Sequence, residues 1–281
     1  MRISVVALKN FRGYEQVELS LEKGLNVLVG NNGAGKTNLV EAISFLSIAR
    51  SFRTNDEKEL RKKDTSFTWL KGVFLLKERK QDIKMLLVPK GKKITCNGHE
   101  VKKISELVSN LHVIVFKPSD VFIFDASPCE RRRFVNVEIS RQYREYLISL
   151  TRYEKILEER NKLLKQDEIP EMQLDSLTEL MIQEACIIVR YRKAFFERLK
   201  EATQKITEQL GEIKQFQFTY CPFVGLEDFI NEATNAFKKA KENDLRMKAT
   251  TIGPHREDFV CTLNGTNISA SGSQGEKRLA A

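Results

Sequence analysis

Residues Gly30-Asn31-Asn32-Gly33-Ala34-Gly35-Lys36-Thr37 place glycines, a lysine and a hydroxyl at the spacing G-x-x-x-x-G-K-[ST]. The glycines let successive backbone N–H groups turn toward one anion. A helix opening at Lys36 would add its positive end to the same point. The Lys36 ammonium is then placed for β- and γ-phosphates and the Thr37 hydroxyl for Mg²⁺, with Asn38 at the loop's edge. These residue types at this spacing bind a nucleoside triphosphate, with ATP as the expected ligand. A second stretch, Ser271-Gly272-Ser273-Gln274-Gly275-Glu276-Lys277-Arg278, is a small-polar segment opening a helix. By the same physics Ser273, Gln274, Gly275 and Glu276 form a second candidate anion site.

The elements that must hold these residues are legible from periodicity. Ile3, Val5 and Ala7 are expected on one side of a strand, Phe11 to Tyr14 in a turn, and Val17, Leu19 and Leu21 on a second, half-buried strand. Leu25 to Val29 is a short apolar run of the kind buried at a sheet centre, leading into Gly30. Leu39, Ile43 and Leu46 recur at helical spacing after the loop. A meander is expected from Thr68 to Leu76, Ile83 to Val88 and Lys92 to Cys96, with a hairpin at Asn97-Gly98, and a further strand from Val113 to Phe116. Residues 131–166 are dense in helix formers. After Pro170 a second helical run reaches about Leu210, its apolar seam (Leu177, Met181, Ala185, Ile188, Phe195, Leu199, Ala202, Ile206) interrupted by Arg192. Phe216 to Tyr220 alternates, residues 228–241 read as a helix, and residues 259–269 as a hairpin turning at Asn264-Gly265.

No apolar run reaches the roughly 18 residues that span a bilayer, and Lys9, Asn10 and Arg12 break the N-terminal stretch too early for a signal peptide. A cytoplasmic location is the simplest expectation. The cysteines (Cys96, Cys129, Cys186, Cys221, Cys261) and histidines (His99, His112, His255) are scattered without metal-ligand spacing. The net charge is +9, and residues 51–110 carry 15 Lys or Arg against 8 Asp or Glu. Such an excess attracts polyanions by counterion release. Arg53, Lys62, Lys63, Lys92 and Lys93 are candidate DNA contacts from this stretch.

The filling Asn31-Asn32-Gly33 with Asn38, and Leu8-Lys9-Asn10-Phe11-Arg12 upstream, resemble the ABC and SMC branch of P-loop ATPases. Residues 271–278 resemble the ABC signature, which in that class caps the γ-phosphate held by the opposite subunit. Four further segments resemble the RecF family: Ser127-Pro128-Cys129-Glu130-Arg131-Arg132-Arg133-Phe134; Tyr153, Leu157, Arg160-Asn161 and Leu163-Leu164; Gly253-Pro254-His255-Arg256-Glu257-Asp258; and Arg50-Ser51-Phe52-Arg53-Thr54. The likeness runs along essentially the whole chain. The chain departs from the family pattern in three places: Asn136 stands for an Asp, Glu257 for an Asp, and the pair Glu276-Lys277 for Gln-Gln in the signature.

The resemblance implies an α/β fold: a P-loop ABC-type ATPase head with a mixed sheet and an inserted helical subdomain built on an antiparallel helix pair. The expected segments are 1–125 (ATPase lobe), 126–212 (helices) and 213–281 (return to the lobe). It also implies an ATP-dependent DNA-binding protein of recombinational repair and replication-fork maintenance. Arg12 joins the ATP site, an ATP-induced homodimer forms, single-strand/double-strand junctions are the DNA target, and recombination-mediator proteins are partners. An ATP-gated module without turnover and an SMC-like chromosome-structuring ATPase are the alternative readings. Val121 to Asp125 matches a Walker B string by letter, but it precedes the signature, so Asp125 is not expected to serve the metal. The sequence ends at Ala281 inside the helix that the signature opens, and the family's Walker B and catalytic acid are expected beyond that point. As written, the chain is expected to hold ATP without half of the catalytic apparatus.

Overall fold

The alternation along the N-terminal residues folds into a hairpin, β1 (Arg2–Phe11) and β2 (Tyr14–Ser20), turned at Arg12-Gly13. A computed structural model describes residues 1–54, 56–76, 79–107, 111–209 and 215–281, which fall into two compact units, Met1–Phe116 and Lys117–Ala281. The expected boundary at residues 212 and 213 lies outside the described residues.

In the first unit β1 continues into a six-stranded antiparallel sheet of order β2-β1-β3-β4-β5-β6, with β3 at Thr68–Leu76, β4 at Arg79–Val88, β5 at Gly91–Cys96 and β6 at His99–Glu100. The register of β1 on β3 shifts between Ile3 and Val5. That irregularity changes which side chains face inward. Val6 and Leu8 face the core with Ile3 packed beside them, instead of Ile3, Val5 and Ala7 forming one inward row. The Asn97-Gly98 turn has positive φ at both residues, 51° and 82°, the type I′ geometry that matches strand twist. One sheet face is covered by α1 (Lys36–Ile48), whose Leu39, Ala42, Phe45 and Leu46 are fully or almost fully buried. Gly72 on β3 makes this packing possible, because a Cβ there would lie 2.8 Å from Leu46 Cδ1. A short helix, α2 (Ile104–Leu107), adds Leu107 to this core.

Two expected strands are absent. Residues 25–29 form no strand, and Leu25 and Val29 are 88% and 89% exposed. Residues 113–116 likewise form none, and Ile114 is 88% exposed. A strand is made by its partner's hydrogen bonds as much as by its own apolar letters, and no described residue pairs with either segment.

In the second unit a 3-10 turn (Pro118–Phe124) leads to α3 (Pro128–Gln142), capped by Ser127 and Glu130 in a reciprocal box. The run expected as one helix from Arg131 breaks at Tyr143, and α4 (Arg144–Leu163) follows. The 39-residue α5 (Glu171–Gln209) packs along α4 as the expected helix pair. Its inward face ends near Leu199, and Ala202 and Ile206 are exposed. A three-stranded antiparallel sheet, β7 (Phe216–Cys221), β8 (Asp258–Leu263) and β9 (Thr266–Asn267), with α6 (Phe229–Met247), closes the core. The second arm of the last hairpin is only two residues long, because Asn267 caps α7 (Ile268–Ser271) through the Ser269 N–H. The chain then enters α8 (Gln274–Ala280).

Candidate functional site

The loop of residues 30–35 wraps the start of α1 and is exposed along most of its length. It is closed by a turn from the Ala34 N–H to Asn31 O at 3.1 Å. Gly35 is the N-cap of α1, with φ 94°, no side-chain cap and no acidic residue in the first helical turn. Its backbone is left-handed, a region that costs L side chains. The ring of Tyr14 fills the space where a Cβ on Gly35 would stand, at 3.0 Å, and the Tyr14 hydroxyl donates to Gly35 O at 3.2 Å. The helix therefore presents its first N–H groups and positive end without competition from a carboxylate, the arrangement that takes a phosphate. Lys36 Nζ lies over the loop, donating to Gly30 O at 2.6 Å and Asn31 O at 2.8 Å. Thr37 is exposed at the second position of α1. Its hydroxyl is a hard oxygen donor of the kind Mg²⁺ accepts alongside phosphate oxygens, so the residues present fit that ion.

Behind the loop stands a carboxylate that sequence reasoning missed. Glu41 is fully buried and accepts four hydrogen bonds from three residues. Arg12 forms a two-pronged pair with it, Nη2 to Oε1 at 2.8 Å and Nε to Oε2 at 3.1 Å. Ser51 Oγ donates at 2.5 Å, and Arg53 Nη1 donates to Glu41 Oε2 at 3.2 Å and to Asn38 Oδ1 at 2.8 Å. Arg12 also holds Glu59 O at 2.8 Å. The network ties the β1–β2 turn, the first turns of α1 and residues 51–53 into one support for the loop. The sequence carried no signal for Glu41: two residues on from Leu39 it falls off the Leu39, Ile43, Leu46 stripe, and only its paired partners make its burial tolerable.

Arg12 and Asn38, both expected near the nucleotide, thus meet through Glu41 and Arg53. Of the five candidate DNA contacts, Arg53 is engaged as described. Lys62 pairs with Glu15 at 3.2 Å, and Lys92 pairs with Glu57 and donates to Ala49 O at 3.0 Å. Lys63 is exposed, and Lys93 is exposed with Glu100 at 3.9 Å.

In the second unit Ser273 is the exposed N-cap of α8. Its N–H donates to Glu276 Oε2 at 2.9 Å, its hydroxyl donates to the same oxygen at 3.0 Å, and it accepts from the Glu276 N–H at 3.3 Å. Gln274 and Gly275 follow, both exposed. Lys277, one of the departures from the family pattern, pairs with Asp125. The carboxylate that matches Walker B by letter is thus joined to the signature helix.

The other two departures meet in the core of this unit. Arg192 is buried and donates to Glu257 Oε2 at 2.5 Å, Asn136 Oδ1 at 2.9 Å and Pro254 O at 2.8 Å. Glu257 also accepts from the Tyr220 hydroxyl at 2.5 Å and the Phe223 N–H at 3.1 Å. Burial alone would lower the Arg192 pKa, but Tyr146, Tyr220 and Glu257 more than offset it and hold the guanidinium charged. The interruption of the apolar seam is therefore a satisfied ion pair. Nearby, Arg160 holds Asp244 at 2.8 Å and Thr250 at 2.7 Å. His255 lies between the Tyr153 hydroxyl (2.7 Å from Nδ1) and Thr250 O (3.0 Å from Nε2). Because a carbonyl only accepts, Nε2 carries the proton and Nδ1 accepts from Tyr153. Burial lowers the His255 pKa to about 4.

Comparison with known proteins places these features together. A family model described as an AAA domain matches residues 6–250. The DNA replication and repair protein RecF of Clostridium tetani (strain Massachusetts / E88) is 35% identical over 294 residues, covering all of this chain and 78% of that protein. RecF of Clostridium botulinum (strain Loch Maree / Type A3) is 37% identical over 290 residues, with the same coverage of 100% and 78%. A solved structure described as the recombination mediator protein RecF-ATPrS in the RecFOR pathway superposes with a TM-score of 0.94 at 29% identity, covering 99% of this chain and 78% of that one. A second, described as RecF-ATP in the same pathway, gives a TM-score of 0.92 at 29% identity, covering 99% and 77%. The fold of this chain is the ABC-type ATPase head of those structures. No helix among the described residues is long and apolar enough to cross a membrane.

Proposed function

This chain belongs to the RecF family, and from that premise we propose that it is an ATP-dependent DNA-binding protein of recombinational repair and replication-fork maintenance. ATP binds at Gly30 to Thr37, with Lys36 on the β- and γ-phosphates, and Thr37 would hold Mg²⁺, which offsets phosphate charge when bound. Asn38 and Arg12 act from the rim of that site, the latter through Glu41. The observation that carries this reading is the uncapped α1 N-terminus at Gly35, with Lys36 folded over the loop it closes. A relative described as RecF-ATP supports it.

Two copies then sandwich two nucleotides, each Ser273, with Gln274, Gly275 and Glu276, facing the γ-phosphate held by the other. The exposure of Ser273 to Gly275 at a capped helix start supports this role. DNA, at single-strand/double-strand junctions, is the macromolecular ligand, and recombination-mediator proteins are the further partners. The positive charge of residues 51–110 supports the DNA reading, with Arg53, Lys63 and Lys93 the exposed members of the five candidate contacts.

The test is sizing chromatography with ATP and Mg²⁺. The expected result is a shift from monomer to dimer that Lys36→Ala abolishes, with ATP affinity reduced about tenfold or more for loss of a charge-assisted contact. A wild-type chain that stays monomeric with ATP, or a Lys36→Ala chain that binds ATP as well as wild type, would overturn it.

A further inference from the structure

The sheet of the first unit turns one side to α1, and the strand register fixes what the other side carries, where Ala7 and Val73 are buried and the lysines stand outward. Lys9 on β1 lies opposite Trp69 on β3, Trp69 opposite Leu86 on β4, and Leu86 opposite Lys93 on β5. In the next row Ala7 lies opposite Lys71, Lys71 opposite Lys84, and Lys84 opposite Thr95. Phe67 continues the outward row of Trp69 and Lys71, and Lys9 Nζ sits 5.9 Å from its ring centroid. Lys9, Lys84 and Lys93 are exposed, and Phe67, Trp69 and Lys71 are half-buried. Among the described residues the acidic ones of this side are Glu18 on edge strand β2, Glu100 on edge strand β6, and Asp82. Asp82 pairs with Lys84 at 3.1 Å, and Glu100 approaches Lys93 at 3.9 Å. Lys9 and Lys71, flanking Trp69, make no ion pair among the described residues.

Two facts of this surface are unexplained by folding. Like charges directly opposite across strands destabilise a sheet, yet Lys71 faces Lys84. The chain's single tryptophan is placed half-exposed among lysines, when a core was available to it. Lysines arrayed about outward aromatic rings are the chemistry of a surface for single-stranded nucleic acid: ammonium groups neutralise phosphates, and rings stack on unpaired bases. A duplex hides its base faces in its own stack and has no use for the rings. We infer that this outer sheet face binds single-stranded nucleic acid, with Lys9, Lys71, Lys84 and Lys93 on phosphates and Trp69, beside Phe67, stacking on a base. The inference rests on the DNA-binding reading above and adds its location.

Because Trp69 is the only tryptophan, emission from the full chain reports on this face. An oligothymidylate should quench it saturably, and the same length of duplex should not. Lys71→Glu should weaken single-strand binding about tenfold and lower the salt slope by about 0.7. It should also raise the unfolding midpoint, because it replaces a like-charge pair by an opposite one. That opposition of sign separates a binding role from a structural one. Trp69→Ala should weaken binding about fivefold or more. If a labelled strand binds by anisotropy while emission is unchanged and Lys71→Glu binds as wild type, the face is wrong and the DNA reading stands. If duplex quenches as strongly as single strand, the stacking assignment fails. If no nucleic acid binds at all, both fail.

Discussion

Asn136 Oδ1 and Glu257 Oε2 accept hydrogen bonds from one guanidinium, that of Arg192, at 2.9 and 2.5 Å. Both positions depart from the RecF pattern, one acid becoming an amide and the other gaining a methylene. The buried arginine thus faces a single carboxylate, and the charges balance. Removing that carboxylate leaves an unpaired buried charge. Glu257→Gln should therefore cost about 3–5 kcal/mol of unfolding free energy, whereas replacing both Arg192 and Glu257 by apolar residues should cost less than the single change. Denaturant unfolding of the two single variants and the double variant checks this. A double variant as unstable as the two singles summed would show that the pair is not coupled.

Gly35 meets Tyr14 where any side chain would stand, at a backbone φ of 94°. Gly35→Ala should cost about 1–2 kcal/mol in backbone strain and push the ring from beneath the loop. The expected outcome is loss of ATP binding in a chain that stays folded, read by calorimetric titration beside circular dichroism. Tyr14→Phe, which loses only a 3.2 Å bond to Gly35 O, should change ATP affinity about fivefold or less.

The glycine turn ahead of α1 was legible because its backbone geometry depends on glycines at fixed spacing, which letters record directly. The strands from Thr68 to Cys96 and the Asn97-Gly98 hairpin were legible for the same local reason. Leu25 to Val29 was not. Its apolar letters signal burial, but a partner strand has to supply it, and none is present among the described residues. Glu41 was hidden because a glutamate in a helix reads as solvent-facing until Arg12, Ser51 and Arg53 are seen to converge on it. Arg192 looked like a fault in an apolar seam because its partner, Glu257, is 65 positions away.

His255 titrates with a pKa near 4 in the fold, lowered chiefly by burial, against 6.5 for the free group. The folded state therefore prefers the neutral ring. Its stabilising contribution is complete above pH 6.5 and is lost as pH falls from 6.5 toward 4, where the unfolded chain binds a proton that the folded chain refuses. At about 1.4 kcal/mol per pH unit the loss approaches 3 kcal/mol. His255→Gln, whose amide can donate to Thr250 O and accept from Tyr153, should flatten that part of the stability profile. Urea midpoints measured from pH 7 to 4 test this, and an equally steep fall in the variant would assign the acid sensitivity elsewhere.

Asp125 ends an apolar run that matches Walker B by letter, yet its carboxylate pairs with Lys277 on the helix that Ser273 opens. A metal-holding aspartate and an aspartate that braces a helix respond differently to amidation. Were Asp125 part of the Mg²⁺ shell, Asp125→Asn would weaken Mg²⁺-dependent ATP binding by an order of magnitude or more, as loss of a charged ligand does. As a partly exposed ion pair it is worth about 1 kcal/mol or less. Asp125→Asn should then leave ATP affinity within about twofold while loosening α8, seen as faster amide exchange at residues 274–280. A large loss of ATP affinity with unchanged exchange would return Asp125 to the nucleotide site.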